Sequence, residues 1–131
     1  MNLDVVIVDD DAVVLFLHKV LIKKSPLPSA IHDFRSAKEA LPFVVERSKT
    51  QKLLIFLDIN MPEINGWDFL EQLEQRVASK KIFVVMVTSS INWSDRNRAG
   101  KYSLVIDYRE KPLSKQACEE VYIKLLNRLN S

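Results

Sequence analysis

The chain has 131 residues, 47% of them apolar and 27% charged, which suffices for one domain with an ordinary core and excludes a catalytic domain joined to a separate effector, since domains take about 100–200 residues each. A lone cysteine, Cys118, excludes an internal disulfide, and no apolar run approaches the ~18 residues of a membrane span. The 19 Lys and Arg are dispersed against 17 Asp and Glu for a net charge of +2, so neither direct nucleic-acid binding nor membrane association is expected.

In chain order, short apolar runs alternate with longer stretches of helical period, the pattern of βαβ units. The N-terminus, Met1-Asn2-Leu3-Asp4, enters apolar sequence without the basic region of a signal peptide, which reads as a cytoplasmic protein. The first run, Leu3 to Val8, is followed at once by Asp9-Asp10-Asp11. Ala12 to Lys24 reads as a helix apolar around much of its circumference, with Asp11 as its N-cap and Ser25-Pro26 at its end. A weaker run near Ala30 to Phe34 suits an edge strand. Ser36-Ala37-Lys38-Glu39 is a capping box for a second helix with Ala37, Ala40, Leu41, Val44 and Val45 on one face, inside which Pro42 predicts a kink or a late start. Leu53 to Leu57 is a third strand and Gly66 to Val77 a third helix, followed by a fourth strand at Ile82 to Val87. The segment Ser94 to Gly100 is polar and, if helical, short; the fifth run is Leu104 to Ile106. The last helix carries Cys118, Val121, Tyr122, Leu125, Leu126 and Leu129 at helical spacing, which makes Cys118 a core residue. Three of the runs lack alternation, as expected of central parallel strands covered on both faces. Only Gly66 and Gly100 are glycines, which excludes a glycine-rich phosphate loop and disfavours ATP, GTP and NAD as ligands.

In an open parallel sheet, ligands bind beyond the carboxyl ends of the strands. The residues there are Asp9-Asp10-Asp11, Asp58-Ile59-Asn60, Thr88-Ser89-Ser90 and, a few residues past the fifth run, Lys111-Pro112. Carboxylates gathered at one edge repel one another, and a hard divalent cation with oxygen ligands relieves the repulsion. Magnesium, with one or two carboxylates, waters and a phosphate, suits the set better than a calcium cage. A carboxylate beside the metal can attack a phosphoryl group while Lys111 and Thr88 hold the transferred oxygens. Singly, an Asp after a strand is usually a helix cap, and a lone Thr or Lys is usually a surface residue; suitable types after four runs in order make coincidence improbable.

The stretch Leu57-Asp58-Ile59-Asn60-Met61-Pro62-Glu63-Ile64-Asn65-Gly66 resembles the phosphorylation-site signature of the receiver domains of two-component response regulators. Val8-Asp9-Asp10, Val87-Thr88-Ser89 and Glu110-Lys111-Pro112 are similar to the family's other marks, and the resemblance covers the whole chain. It implies a flavodoxin-like doubly wound α/β fold, with five parallel strands in the order 2-1-3-4-5 carried over from the family, in one domain over 1–131 without an output domain. It implies Asp58 as phosphoacceptor and Mg2+ held by Asp9, Asp10, Asp58 and the backbone carbonyl of Asn60. Lys111 would pair with the phosphoryl group, Pro112 would follow a cis peptide, and Thr88 would be the switch hydroxyl. Tyr108 matches the aromatic switch position, with a partly buried structural Tyr as a nearly equal alternative. Asn60, Ser89 and Ser90 would modulate access and hydrolysis. The implied donor is a histidine kinase or histidine phosphotransfer protein, and the implied output is contact with a protein target by a monomer or weak dimer. Transfer and autodephosphorylation would be self-catalysed, without turnover of a separate substrate. The segment from Ser90 to Tyr108 is expected to move, and Arg98, Lys101 and Tyr102, where the family is often rich in glycine and alanine, bear on partner choice. Two alternatives stand beside this reading. Asp9-Asp10-Asp11-Ala12-Val13 also resembles the motif of haloacid-dehalogenase-type phosphatases, with Asp9 as nucleophile and Asp11 as acid/base, and a receiver that no longer takes phosphate would act as a pure interaction module.

Overall fold

Unbroken runs of Val, Ile and Leu are stable as strands only when both faces of the sheet are covered. The computed structural model describes residues 2–131, so Met1 of the domain expected over 1–131 lies outside the described residues. In it β1 (Leu3–Val8), β3 (Lys52–Asp58) and β4 (Ile82–Thr88) form the centre of a sheet, with β2 (Ile31–Phe34) and β5 (Val105–Glu110) at the edges. All four pairings are parallel and the strand order is 2-1-3-4-5, the flavodoxin-like arrangement. The connecting helices are α1 (Ala12–Lys23), α2 (Ala37–Arg47), α3 (Gly66–Arg76), α4 (Trp93–Ala99) and α5 (Lys115–Leu129), and a 3-10 turn over Ser79–Lys81 precedes β4.

Alternate residues of each central strand feed two separate cores. Val6, Val8, Ile55 and Leu57 pack with Leu41, Phe69, Leu70 and Leu73 of α2 and α3. Val5, Ile7, Leu54 and Phe56 pack with Leu15, Ile22, Cys118, Val121 and Leu125 of α1 and α5, which places Cys118 in the core as expected. Among the described residues, no helix is long and apolar enough to cross a membrane.

The structure departs from the sequence reading in two elements. Strand β5 continues through Asp107, Tyr108, Arg109 and Glu110, well past the expected end at Ile106. Its charges are tolerated because buried Asp107 receives Arg109 Nε at 2.6 Å and Lys124 Nζ at 2.9 Å, and an ionised group that is paired can stay in a sheet. Helix α2 starts without delay at Ala37, and Pro42 lies inside it. Pro42 faces solvent, where water can take the carbonyl that proline leaves without a donor. Ser36 Oγ accepts from Glu39 N at 3.2 Å, the first half of the expected capping box; the full reciprocal box is made at the start of α3 by Asn65 and Asp68.

Parallel register brings the strand ends level. Val8 lies opposite Leu57, and Asp58 lies opposite Val87. Asp9, Asp58 and Thr88 therefore leave the sheet at one edge, where Lys111 joins them after β5.

Candidate functional site at the carboxyl edge of the sheet

Backbone bonds between elements hold each residue of the edge. Asp9 N donates to Phe34 O at 3.1 Å, Ile59 N to Val87 O at 3.0 Å, and Lys111 N to Thr88 O at 2.7 Å. Asp11 takes the role of α1 N-cap, its Oδ1 accepting from Val13 N at 2.9 Å and Val14 N at 3.3 Å. The Lys111–Pro112 peptide is cis, as the family resemblance implies. Gly66 donates its N–H to Ile59 O at 2.9 Å. A Cβ at Gly66 would fall 2.7 Å from Asp58 O and 2.9 Å from Ile59 Cα, so glycine is required by close approach of α3 to the Asp58–Ile59 peptide.

Asp9, Asp58 and Thr88 are only 2%, 1% and 1% exposed. Lys111 Nζ donates to Asp9 Oδ2 at 3.0 Å and stands 3.2 Å from Asp58 Oδ2. The remaining oxygens accept backbone donors, Asp9 Oδ1 from Asp11 N at 2.9 Å and Asp58 Oδ1 from Asn60 N at 3.2 Å. Asp58 Oδ2 is different: it is buried, it faces the Lys111 charge at ion-pair distance, and among the described residues no donor meets it with good hydrogen-bond geometry. Burial and then the Asp9 charge push the Asp58 carboxyl up to about 6, with Lys111 pulling partly the other way. Burial works against the charge of Lys111, but its bond to Asp9 and the Asp58 charge prevail and hold its pKa above the ordinary value.

Carboxylate oxygens of Asp9, Asp10 and Asp58 lie within 4.8 Å of one another. One lysine cannot neutralise three ionised carboxylates, and an oxygen-lined, partly open cluster with a donorless buried carboxylate oxygen fits a small hard cation. Asp10, half-buried, forms the solvent side of the cluster.

The other expected residues surround this pair of buried carboxylates in distinct ways. The Thr88 hydroxyl is bound within its own loop, donating to Ser90 O at 3.1 Å and accepting from Ser90 N at 3.3 Å. The Tyr108 ring is buried, its hydroxyl near the Asn92 backbone without a well-formed hydrogen bond. Asn60, Ser89 and Ser90 form an exposed rim.

Two contacts were not foreseen. Arg35 Nη2 donates to Asp10 O at 3.3 Å across from β2. His18, 1% exposed on α1, accepts a hydrogen bond on Nε2 from Leu113 N at 3.0 Å, two residues past Lys111. Burial lowers the His18 pKa to about 4, with Asp9 opposing and Lys111 adding to the shift. The available signal was a polar residue between Leu15 and Ile22 on the apolar face of α1.

Solved proteins show the same architecture. The chain is similar to a two-component response regulator from Cytophaga hutchinsonii, with 30% identity and a TM-score of 0.87 over 95% of this chain and 97% of that one. It is similar to a response regulator receiver protein from Dyadobacter fermentans, with 28% identity and a TM-score of 0.81 over 98% of each. Among curated proteins it resembles the transcriptional regulatory protein CitT of Halalkalibacterium halodurans, 23% identical over 88% of this chain and 49% of that protein. It also resembles the protein-glutamate methylesterase/protein-glutamine glutaminase 2 of Methanospirillum hungatei, 31% identical over 61% of this chain and 22% of that protein. The chain thus spans about half the length of the first of these relatives and less of the second. The response regulator receiver domain, as a family, matches residues 5–122, from within β1 into α5 and across the whole acidic edge, and the chain belongs to that family.

Proposed function

We propose that this receiver accepts a phosphoryl group on Asp58, with magnesium, from the phosphohistidine of a histidine kinase or histidine phosphotransfer protein. The observation that carries the reading is the buried Asp58 Oδ2, donorless and facing Lys111 at 3.2 Å. It also favours Asp58 over Asp9 as nucleophile, because both Asp9 oxygens already accept hydrogen bonds; the phosphatase reading therefore has the weaker support.

With a pKa of about 6, Asp58 is mostly ionised at neutral pH. Its Oδ2 attacks phosphorus, the O–P bond forms, and the P–N bond to the donor imidazole breaks with its electron pair left on nitrogen. Lys111 keeps its proton and redirects it from the carboxylates to the incoming oxygens. Asp9, Asp10, Asp58 and the Asn60 carbonyl would hold the magnesium, whose contribution when bound is neutralisation of the gathered negative charge. The phosphoryl group adds about −1.5 to −2 charge and three acceptor oxygens, for which Thr88 leaves Ser90 O, and Tyr108 follows within the β4–α4–β5 surface. Asn60, Ser89 and Ser90 modulate access of water and hence the rate of self-dephosphorylation. Output is contact with a protein target, as a monomer or weak dimer.

The test is intact-mass spectrometry after incubation with magnesium and acetyl phosphate. One phosphoryl adduct is expected, lost when magnesium is chelated and abolished in Asp58→Asn. An adduct that survives in Asp58→Asn, or that needs Asp9 as acceptor, overturns the assignment.

A further inference from the structure

Lys111 is the cation paired with the buried Asp9 and Asp58 carboxylates, and its side chain is useful there only if the turn after β5 is held still. That turn has two backbone donors and one gap. Lys111 N donates to Thr88 O at 2.7 Å, Pro112 has no N–H to offer, and Leu113 N donates to His18 Nε2 at 3.0 Å in a fully buried bond. Thr88 therefore ties one end of the turn to β4, and His18 ties the other to α1. His18 occupies a core position between Leu15 and Ile22, where an apolar side chain would pack as well but would leave the Leu113 N–H buried and unpaired. Burial and the neighbouring Lys111 keep the ring neutral, so its Nε2 lone pair is available and its proton sits on Nδ1.

Resting on the reading of Asp58 and Lys111 above, we propose that His18 is a positioning residue for phosphotransfer. By accepting the Leu113 amide it holds the Lys111–Leu113 turn at the height from which Lys111 Nζ reaches Asp9 and Asp58 together. A core histidine that merely filled space would be replaceable by any side chain of its volume. One that positions the turn is replaceable only by a side chain whose acceptor reaches the Nε2 site, and the amide oxygen of glutamine does so.

The experiment compares the native protein, His18→Leu and His18→Gln in three readouts: phosphorylation rate with acetyl phosphate, Mg2+ affinity from tryptophan fluorescence, and the position of Lys111 Nζ in crystal structures. In His18→Leu the rate is expected to fall at least about tenfold, the Mg2+ Kd to stay equal or decrease, because carboxylates released by Lys111 bind a cation no worse, and Nζ to leave hydrogen-bonding distance of one or both carboxylates. In His18→Gln the rate stays within about threefold of native. A folded His18→Leu protein with native rate, or with Nζ still on both carboxylates, overturns the proposal, as does parallel loss of rate and Mg2+ affinity. Should His18→Leu not fold, His18→Met carries the same comparison. If the native protein takes no phosphoryl group, the assignment of Asp58 falls, while the Nζ position in the variant still decides the role of His18.

Discussion

A methyl group at Gly66 tests how tightly the site is built. The obstruction there is backbone, with Asp58 O at 2.7 Å and Ile59 Cα at 2.9 Å from the added carbon, so no side-chain rotation relieves it. Gly66→Ala is expected to destabilise the fold by about 1–3 kcal/mol, the range for overpacking, and to slow phosphorylation because the strain falls on the Asp58 peptide. Gly100→Ala is the control. Its added carbon meets nothing nearer than 3.6 Å, and its unfolding free energy should stay within about 0.5 kcal/mol of native. Chemical denaturation of both variants checks this, and equal effects would show that the close approach at Gly66 is not sensed. At this scale the gathering of Asp9, Asp58, Thr88 and Lys111 at one edge was legible, because they end strands or directly follow them and parallel register must bring such positions together. His18 was not legible, because its use depends on the amide of Leu113, 95 residues away in sequence. The need for glycine at Gly66 was hidden for the same reason, since only the folded β3–α3 loop shows what approaches it.

Helix α4 is the helix with least hold on the core. Of its residues only Ala99 is buried, and Trp93 is 75% exposed. What anchors it is a clasp to α3: Arg98 lies over the Trp67 ring at 4.4 Å, the Tyr102 ring stacks on Trp67 at 6.1 Å between centroids, and the Tyr102 hydroxyl donates to Glu71 Oε1 at 2.5 Å. The bond is solvent-exposed, which screens its contribution to about 1 kcal/mol or less, still a sizeable share of the local stability of a seven-residue helix. Tyr102→Phe is therefore expected to raise amide hydrogen exchange across Trp93–Ala99 by about threefold to fivefold, with exchange in β1 and β3 unchanged. Unaltered exchange in α4 would assign its stability to other contacts. Arg98 and Tyr102 were visible in the sequence as departures from a glycine- and alanine-rich stretch, but their partners on α3 were not. Central strands and amphipathic helices were read nearly to the residue, because burial on both faces or on one face leaves a clear period. Strand β5 was cut short at Ile106, since Asp107 and Arg109 look like loop residues until Lys124 and Glu120 of α5 are seen to pair with them.

For the molecule as a whole, the acidic edge makes stability depend on pH through two buried groups with opposite signs. Asp58 is raised from 3.8 to about 6, so between those values the folded state binds the proton first and stability rises as pH falls; at pH 7 the ionised group costs the fold about 2–3 kcal/mol. His18 is lowered from 6.5 to about 4, so the unfolded state binds the proton first and stability falls by about 3 kcal/mol as pH drops through that window. Differences between each variant and the native protein cancel the titrating groups far from the site and leave each group together with its neighbours Asp9 and Lys111. In metal-free buffer Asp58→Asn should be more stable than native by about 2 kcal/mol at pH 7, with the advantage shrinking through pH 6 and vanishing near pH 4. His18→Gln should show the reverse, gaining on the native protein progressively below pH 6. Urea unfolding of the three proteins at pH 7, 6, 5 and 4 measures both slopes, and parallel curves would mean that neither group is held away from its ordinary pKa. Magnesium then inverts the order at pH 7. A ligand that binds only the folded state adds about 2.7 kcal/mol at a hundredfold excess over its Kd, and Asp58→Asn, lacking one of the three carboxylates, should gain far less. The charge crowding that weakens the metal-free fold is the same crowding that would draw in a cation, so a variant relieved of it is expected to be a more stable protein that, on the proposed assignment of Asp58, no longer takes the phosphoryl group.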